Sequence, residues 1–193
     1  MGGTVKFFEI PGIPWSIWKM THLTNSLNNL RQDILEVCRD IRLMCAELYH
    51  YYADLFVNDR AAFLFWKRVA MGEENHAKEF TLIAKLKRQN IIHSVGSDPI
   101  DAEIALIYLR SIIEKARQNP PSVEEALSTS IKLEEKLSPF HLQNIVKFTD
   151  SSFRKQFTKV IQAEQERIAT FRKAYEQLVP PRSDSSFQCD LTI

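Results

Sequence analysis

The stretch Gly72-Glu73-Glu74-Asn75-His76-Ala77 decides how the rest of the chain is read. At helical spacing it belongs to a stripe of Ala62, Trp66, Val69, Glu73, His76, Phe80 and Ile83. All but two of these positions suit a core. The exceptions, Glu73 and His76, place a carboxylate and an imidazole side by side, because residues i and i+3 are neighbours on one helix face. Burying an unpaired carboxylate is costly, so this pair needs a partner, and a metal ion is the first to consider.

Working outward, Ile34, Cys38, Ile41, Cys45, Leu48, Tyr52 and Leu55 recur in alternating steps of four and three, which predicts an amphipathic helix from about Leu30 to Val57. Glu47 flanks that stripe, with Met44 and Tyr51 on its own face. Asn58-Asp59 caps the helix that carries Glu73 and His76 and runs to about Asn90. So short a connection predicts an antiparallel hairpin. Residues 91–99 read as a loop. Asp98-Pro99 opens a crossover helix, which Asn119-Pro120-Pro121 ends. Ser122 and Glu125 form a capping box for the next helix. It carries Leu127, Ile131, Glu134, His141, Ile145 and Phe148, with Pro139 expected to kink it or to interrupt its ladder near Glu135. Asp150 or Ser151 is expected to cap the last helix, whose stripe is Phe153, Phe157, Val160, Glu164, Arg167, Phe171, Ala174 and Leu178. The expected organisation is an aromatic arm over residues 1–29, a helical bundle over 30–179 and a polar, mobile tail over 180–193.

Composition narrows the function classes. A chain of 193 residues fits one domain with a substantial core. Only five glycines favour long helices over a turn-rich sheet, and a net charge of +1 gives no footprint for nucleic acid. No apolar run reaches membrane-spanning length, so no membrane partner is expected. Pro11, Gly12 and Pro14 break the Phe7–Trp18 region, which is therefore not read as a signal peptide. Cys38, Cys45 and Cys189 make neither a disulfide framework nor a Cys-x-x-Cys site, so a reducing, cytoplasmic location is expected.

The two halves of the chain match. Trp66, Val69, Glu73, His76, Phe80 and Ile83 align with Phe157, Val160, Glu164, Arg167, Phe171 and Ala174, and Glu47 aligns with Glu134. Each half is then a helical hairpin with a Glu on its first helix and a Glu-x-x-His-like pair on its second. Carboxylate-bridged di-iron and di-manganese bundles use this ligand arrangement. On Glu47, Glu73-Glu74-Asn75-His76-Ala77, Ser130-Ile131-Lys132-Leu133-Glu134-Glu135 and Ala163-Glu164-Gln165-Glu166-Arg167, the chain resembles the rubrerythrin/ferritin-like superfamily over roughly residues 30–179. It departs from that pattern twice. Arg167 stands where symmetry asks for His, and the rubredoxin-like Cys-x-x-Cys module is absent.

The resemblance implies an all-α, ferritin-like antiparallel four-helix bundle with a crossover helix between its second and third helices. It implies one or two iron ions, with manganese or zinc as alternatives. Glu73 and Glu164 would bridge them, while Glu47, Glu134 and His76 would be terminal ligands. It further implies an oxidoreductase acting on peroxide or dioxygen, with a separate electron donor and a homodimeric assembly. Arg167 cannot ligate a metal, but its fixed charge can stand in for one beside Glu164. Four glutamates with Arg167 and a single divalent ion leave one net negative charge, nearly as well balanced as with two ions. His50, three residues after Glu47, offers a further nitrogen, and Tyr51 and His141 are placed around the ligands. The alternative is a metal-free ionic core in a non-catalytic interaction protein, with Arg167 paired to Glu164 and Glu134 and His76 paired to Glu73.

Overall fold

The computed structural model describes residues 33–96, 98–148, 152, 155 and 157–180. Helix α1 spans Ile34–Leu55 and helix α2 spans Arg60–Arg88. Asp59 starts α2 as expected, its Oδ1 accepting from the backbone N–H of Ala61 at 3.0 Å and of Ala62 at 3.1 Å. Two of the four N–H groups that a helix start leaves unpaired are thereby satisfied. Asn90 ends α2 in the left-handed region, at φ 59°. The Asn90 N–H reaches the Lys87 carbonyl at 3.0 Å and the Ile91 N–H reaches the Leu86 carbonyl at 3.1 Å. This is a Schellman closure with asparagine, which tolerates positive φ better than most side chains, in the glycine position.

The two helices run antiparallel. Asp54 meets Lys67 at 3.2 Å and His50 meets Glu74 at 2.9 Å, so partner numbers fall on one helix as they rise on the other. Helix α3, Pro99–Gln118, packs on α1, where the Tyr51 O–H donates to the Ala116 carbonyl at 2.9 Å. Asp98 caps it and Pro99 occupies its first turn, as the sequence predicts. Helix α4, Val123–Leu137, opens on the expected capping box, and α6, Thr158–Leu178, packs antiparallel to it. Tyr175 meets Glu124 at one end of that contact, and Arg167 approaches Glu134 further along it.

The described chain is mostly helical, in line with the all-α expectation, but two local readings are corrected. The expected loop over 91–99 contains strand β1, Ile92–Val95. It pairs antiparallel with β2, Val146–Phe148, in a short ladder that is irregular between Ile92 and Ser94. Ile92, Val95 and Val146 are β-branched residues suited to such a pairing. Of the kink and the interrupted ladder expected from Pro139, the helix after Ser122 shows the interruption, and it does not run on as one helix to Phe148. It stops at Leu137, passes through a 3-10 turn over Ser138–Phe140, and resumes only as the four-residue α5, Leu142–Ile145. Proline has no N–H to give the helix ladder and its ring crowds the preceding turn, so α4 is not carried through it and only the short α5 follows.

The core sits where α1, α2, α4 and α6 face one another. Trp66 is fully buried, its ring centred 4.8–6.0 Å from those of Tyr49, Tyr52, Phe65 and Phe171. Each such pair adds about 0.5–1.5 kcal/mol beyond area burial. No described helix is long and apolar enough to cross a membrane. The expected arm over 1–29, the tail beyond Pro180, and the Asp150 or Ser151 cap all lie outside the described residues.

The capping box gives a direct test of how α4 is started. Ser122 Oγ accepts from the Glu125 N–H at 3.3 Å, and Glu125 returns the bond to the Ser122 N–H at 2.8 Å. Ser122→Ala is expected to lower unfolding stability by about 1 kcal/mol in denaturant titration. An unchanged midpoint would mean that α4 does not depend on its box.

Candidate functional site

Helical geometry brings four charged side chains into the core. Glu73 of α2, Glu134 of α4 and Arg42 of α1 are fully buried, and Arg167 of α6 is 8% exposed. Arg167 Nη1 contacts Glu73 Oε1 and lies 3.8 Å from Glu134 Oε1. Arg42 Nη1 approaches the other Glu73 oxygen at 3.5 Å, and its Nη2 reaches the Phe140 carbonyl, also at 3.5 Å. Tyr49 donates to Glu134 Oε1 at 2.8 Å. Among the described side chains of the cluster, two carboxylates face two guanidiniums and the charges balance. Moving such ions out of water costs several kcal/mol each, so only this mutual pairing makes their burial tolerable.

The neighbours are tuned by the same burial. Desolvation, and then the Glu134 charge, pushes the Cys45 thiol up to about 12, so it stays protonated and inert. Burial, and then Glu134, raises the Tyr49 phenol as well. It therefore serves Glu134 as a hydrogen-bond donor only. His141 moves the other way. Burial, followed by the nearby Arg42 charge, lowers it to about 3. A neutral imidazole is the form that a buried site beside the Arg42 cation tolerates. Burial and Arg42 also pull Arg167 down to about 9, which still leaves it charged at neutral pH.

The structure brings some of the sequence-derived site together and disperses the rest. Glu73, Glu134, Arg167 and His141 share the cluster, with His141 Nε2 4.0 Å from Glu134 Oε2. His76 is buried beside them, but its Nδ1 lies 2.9 Å from Glu79, not Glu73. Glu47 does not face the cluster. It is half exposed and pairs with Arg117 of α3 at 2.7 Å. The correction is one of register. Residues two apart on a helix differ by roughly 200°, so if Cys45 points inward Glu47 points out. Tyr51 likewise faces α3. His50 sits on the outer seam of α1 and α2, between Glu74 and Lys67. The Glu164 side chain lies outside the described residues.

The sequence reading missed Arg42. The signal for it was the one that exposed Glu73, a charge on an apolar stripe. Cys38, Arg42, Cys45, Tyr49 and Tyr52 also step by four and three, and all are buried. Pro139 acquires a role as well. By stopping α4 it turns the Phe140 carbonyl and His141 toward Arg42 and Glu134, where a continuous helix would have used that carbonyl in its own ladder.

These residues do not fit a dinuclear metal centre. Both described inward carboxylates are engaged by guanidiniums, and Glu47 is on the outside. Among the described residues, no three His, Cys, Asp or Glu side chains converge as a cation would require. Compared with known proteins, the chain matches no family model, no curated protein and no solved structure.

His141 sets a pH dependence. Unfolded, its imidazole titrates near 6.5; folded, near 3. Between those values the unfolded chain binds the extra proton, so stability is full above about pH 6.5 and falls as pH drops toward 3. The His141 contribution has a slope of about 1.4 kcal/mol per pH unit. Comparing His141→Gln with the parent by denaturant titration at several pH values should show a flatter acid limb. Identical slopes would contradict a buried, neutral His141.

Proposed function

We propose that the chain is a ferritin-like bundle whose metal centre has been replaced by ion pairs, and that it acts as a non-catalytic helical interaction protein. The observation that carries this reading is Arg167, set between Glu73 and Glu134 where a bridging cation would lie. Two helical hairpins joined through a crossover helix support the ferritin-like arrangement. The alternative, a peroxide or dioxygen oxidoreductase using iron, asks for carboxylates that can shift on a metal pair. Here they are held by side chains that cannot change oxidation state.

An interaction role draws support from the outer face of α2. Leu64, Met71 and Leu82 are all exposed. Spacings of seven and eleven residues put them within about 20° of one line. An apolar line on an otherwise polar face suits a protein partner, including a second copy of the chain. A reducing, cytoplasmic setting accords with Cys38 and Cys45, both buried thiols.

Elemental analysis of the purified full chain tests the reading, together with melting curves in chelator, ferrous ion and manganous ion. The expected result is less than stoichiometric metal and a melting temperature indifferent to all three additions. A tightly held ion per chain, or stabilisation by several degrees with either metal, would overturn it.

A further inference from the structure

The outer face of α2 carries more than an apolar line. Leu64, Arg68, Met71, Asn75, Lys78 and Leu82 follow one another in alternating steps of four and three, and Lys85 continues the series. All are exposed, on the side of α2 away from Trp66, Glu73 and Phe80. This is heptad spacing, the seam that one helix offers to another in a coiled coil. Arg68, Lys78 and Lys85 make the seam basic, and the acids of α2 do not offset them. Glu73 is buried in the core, Glu74 is met by His50 at 2.9 Å, and Glu79 is met by His76 at 2.9 Å. A second feature lies beside the seam. A surface cavity of about 330 Å³ opens between α1 and α2, lined by Arg39, Leu43, Glu74, Ala77, Lys78 and Thr81. Leu43 is exposed there, and Lys78 belongs to both the cavity and the seam.

We infer, resting on the interaction role above, that this face binds an acidic amphipathic helix of another protein. Apolar side chains of that helix pack on Leu64, Met71 and Leu82, and its carboxylates meet Arg68, Lys78 and Lys85. A large apolar side chain at its edge fills the cavity over Leu43. A second copy of α2 is the wrong occupant. Two such seams in parallel register set cation against cation, and neither seam holds an acid to relieve them in any other register. A bilayer fits less well than a helix. The three apolar side chains are spaced about 10.5 Å and about 16.5 Å along the axis, with Arg68 in the first gap and Lys78 in the second. Helices that lie on membranes present a broad apolar face instead.

The test uses the full chain and a synthetic helix designed as the complement. The helix carries leucines opposite Leu64, Met71 and Leu82, glutamates opposite Arg68, Lys78 and Lys85, and a tryptophan over the cavity, and it is made in both chain directions. A control helix has lysine in place of each glutamate. Calorimetric titration should show that the acidic helix binds and the basic helix does not, with affinity falling as salt rises. Met71→Asp should weaken binding roughly tenfold or more. Lys78→Glu with Lys85→Glu should do the same, and should transfer binding to the basic helix, a rescue that an unfolded variant could not give. No binding of the acidic helix, equal binding of both helices, or binding indifferent to Met71→Asp overturns the inference. So does capture of the parent protein by phosphatidylserine vesicles, or self-association of the parent in sedimentation, if these same variants abolish it. None of these results bears on metal, so the metal-independent reading stands unless the parent protein itself takes up metal.

Discussion

The structure depends on Glu73 being held from two sides, by Arg167 on one oxygen and Arg42 on the other. A carboxylate with no exposure cannot stay ionised in an apolar core without such help. Each arginine in turn needs more than one acceptor, and the fold supplies them from separate elements. Arg167 finds Glu134 on α4, and Arg42 finds the Phe140 carbonyl beyond it. The cluster thereby ties α1, α2, α4 and α6 to one register. Replacing it with hydrophobic groups of equal volume would not obviously weaken the protein, since buried ion pairs roughly break even against apolar packing. What it does contribute is specificity, because a shift of any of these helices would strand a charge.

A guanidinium differs from a metal ion in ways that bear on function. It is covalently part of the chain, so chelators and metal supply do not reach it. It has no accessible redox state, and it cannot open a coordination position for an oxidant. A core compensated by arginine is therefore permanent, whereas one compensated by metal is conditional. The aromatic layer around Trp66 is consistent with a core built for permanence. Tyr49 belongs to both, stacking near Trp66 while donating its O–H to Glu134.

Much of the fold was legible because it rests on local signals. Asp59, Asp98 and the Ser122–Glu125 box mark helix starts through side-chain bonds to nearby N–H groups, and these operate whatever the rest of the chain does. The inward faces of α2 and α4 were legible too, since Glu73 and Glu134 interrupt clear apolar stripes. Two kinds of information were not local. Pairing of β1 with β2 joins segments some fifty residues apart, and short runs such as Ile92–Val95 show no periodicity to announce it. The face assigned to Glu47 failed because α1 has two neighbours. Its buried surface wraps toward α3, which broadens the apolar stripe until position 47 looks like an edge of the core. Arg42 went unread because long cations usually reach solvent along their own stems, so an arginine on an apolar stripe is ordinarily discounted. The repeat between the halves aligned Glu47 with Glu134, whereas in space the α1 residues at that level are Arg42, Cys45 and Tyr49.

The central claim is that Glu73 and Arg167 are a coupled, buried pair that compensates charge without metal. A double-mutant cycle with Glu73→Gln, Arg167→Met and the two combined, read by denaturant unfolding in the presence of chelator, addresses it directly. Each single variant should lose about 3–5 kcal/mol, since it leaves a buried charge short of its partner. The double variant should be less destabilised than the sum of the two by about 2–3 kcal/mol. Losses that add to within about 0.5 kcal/mol would show that the two side chains are not coupled, and would contradict the account.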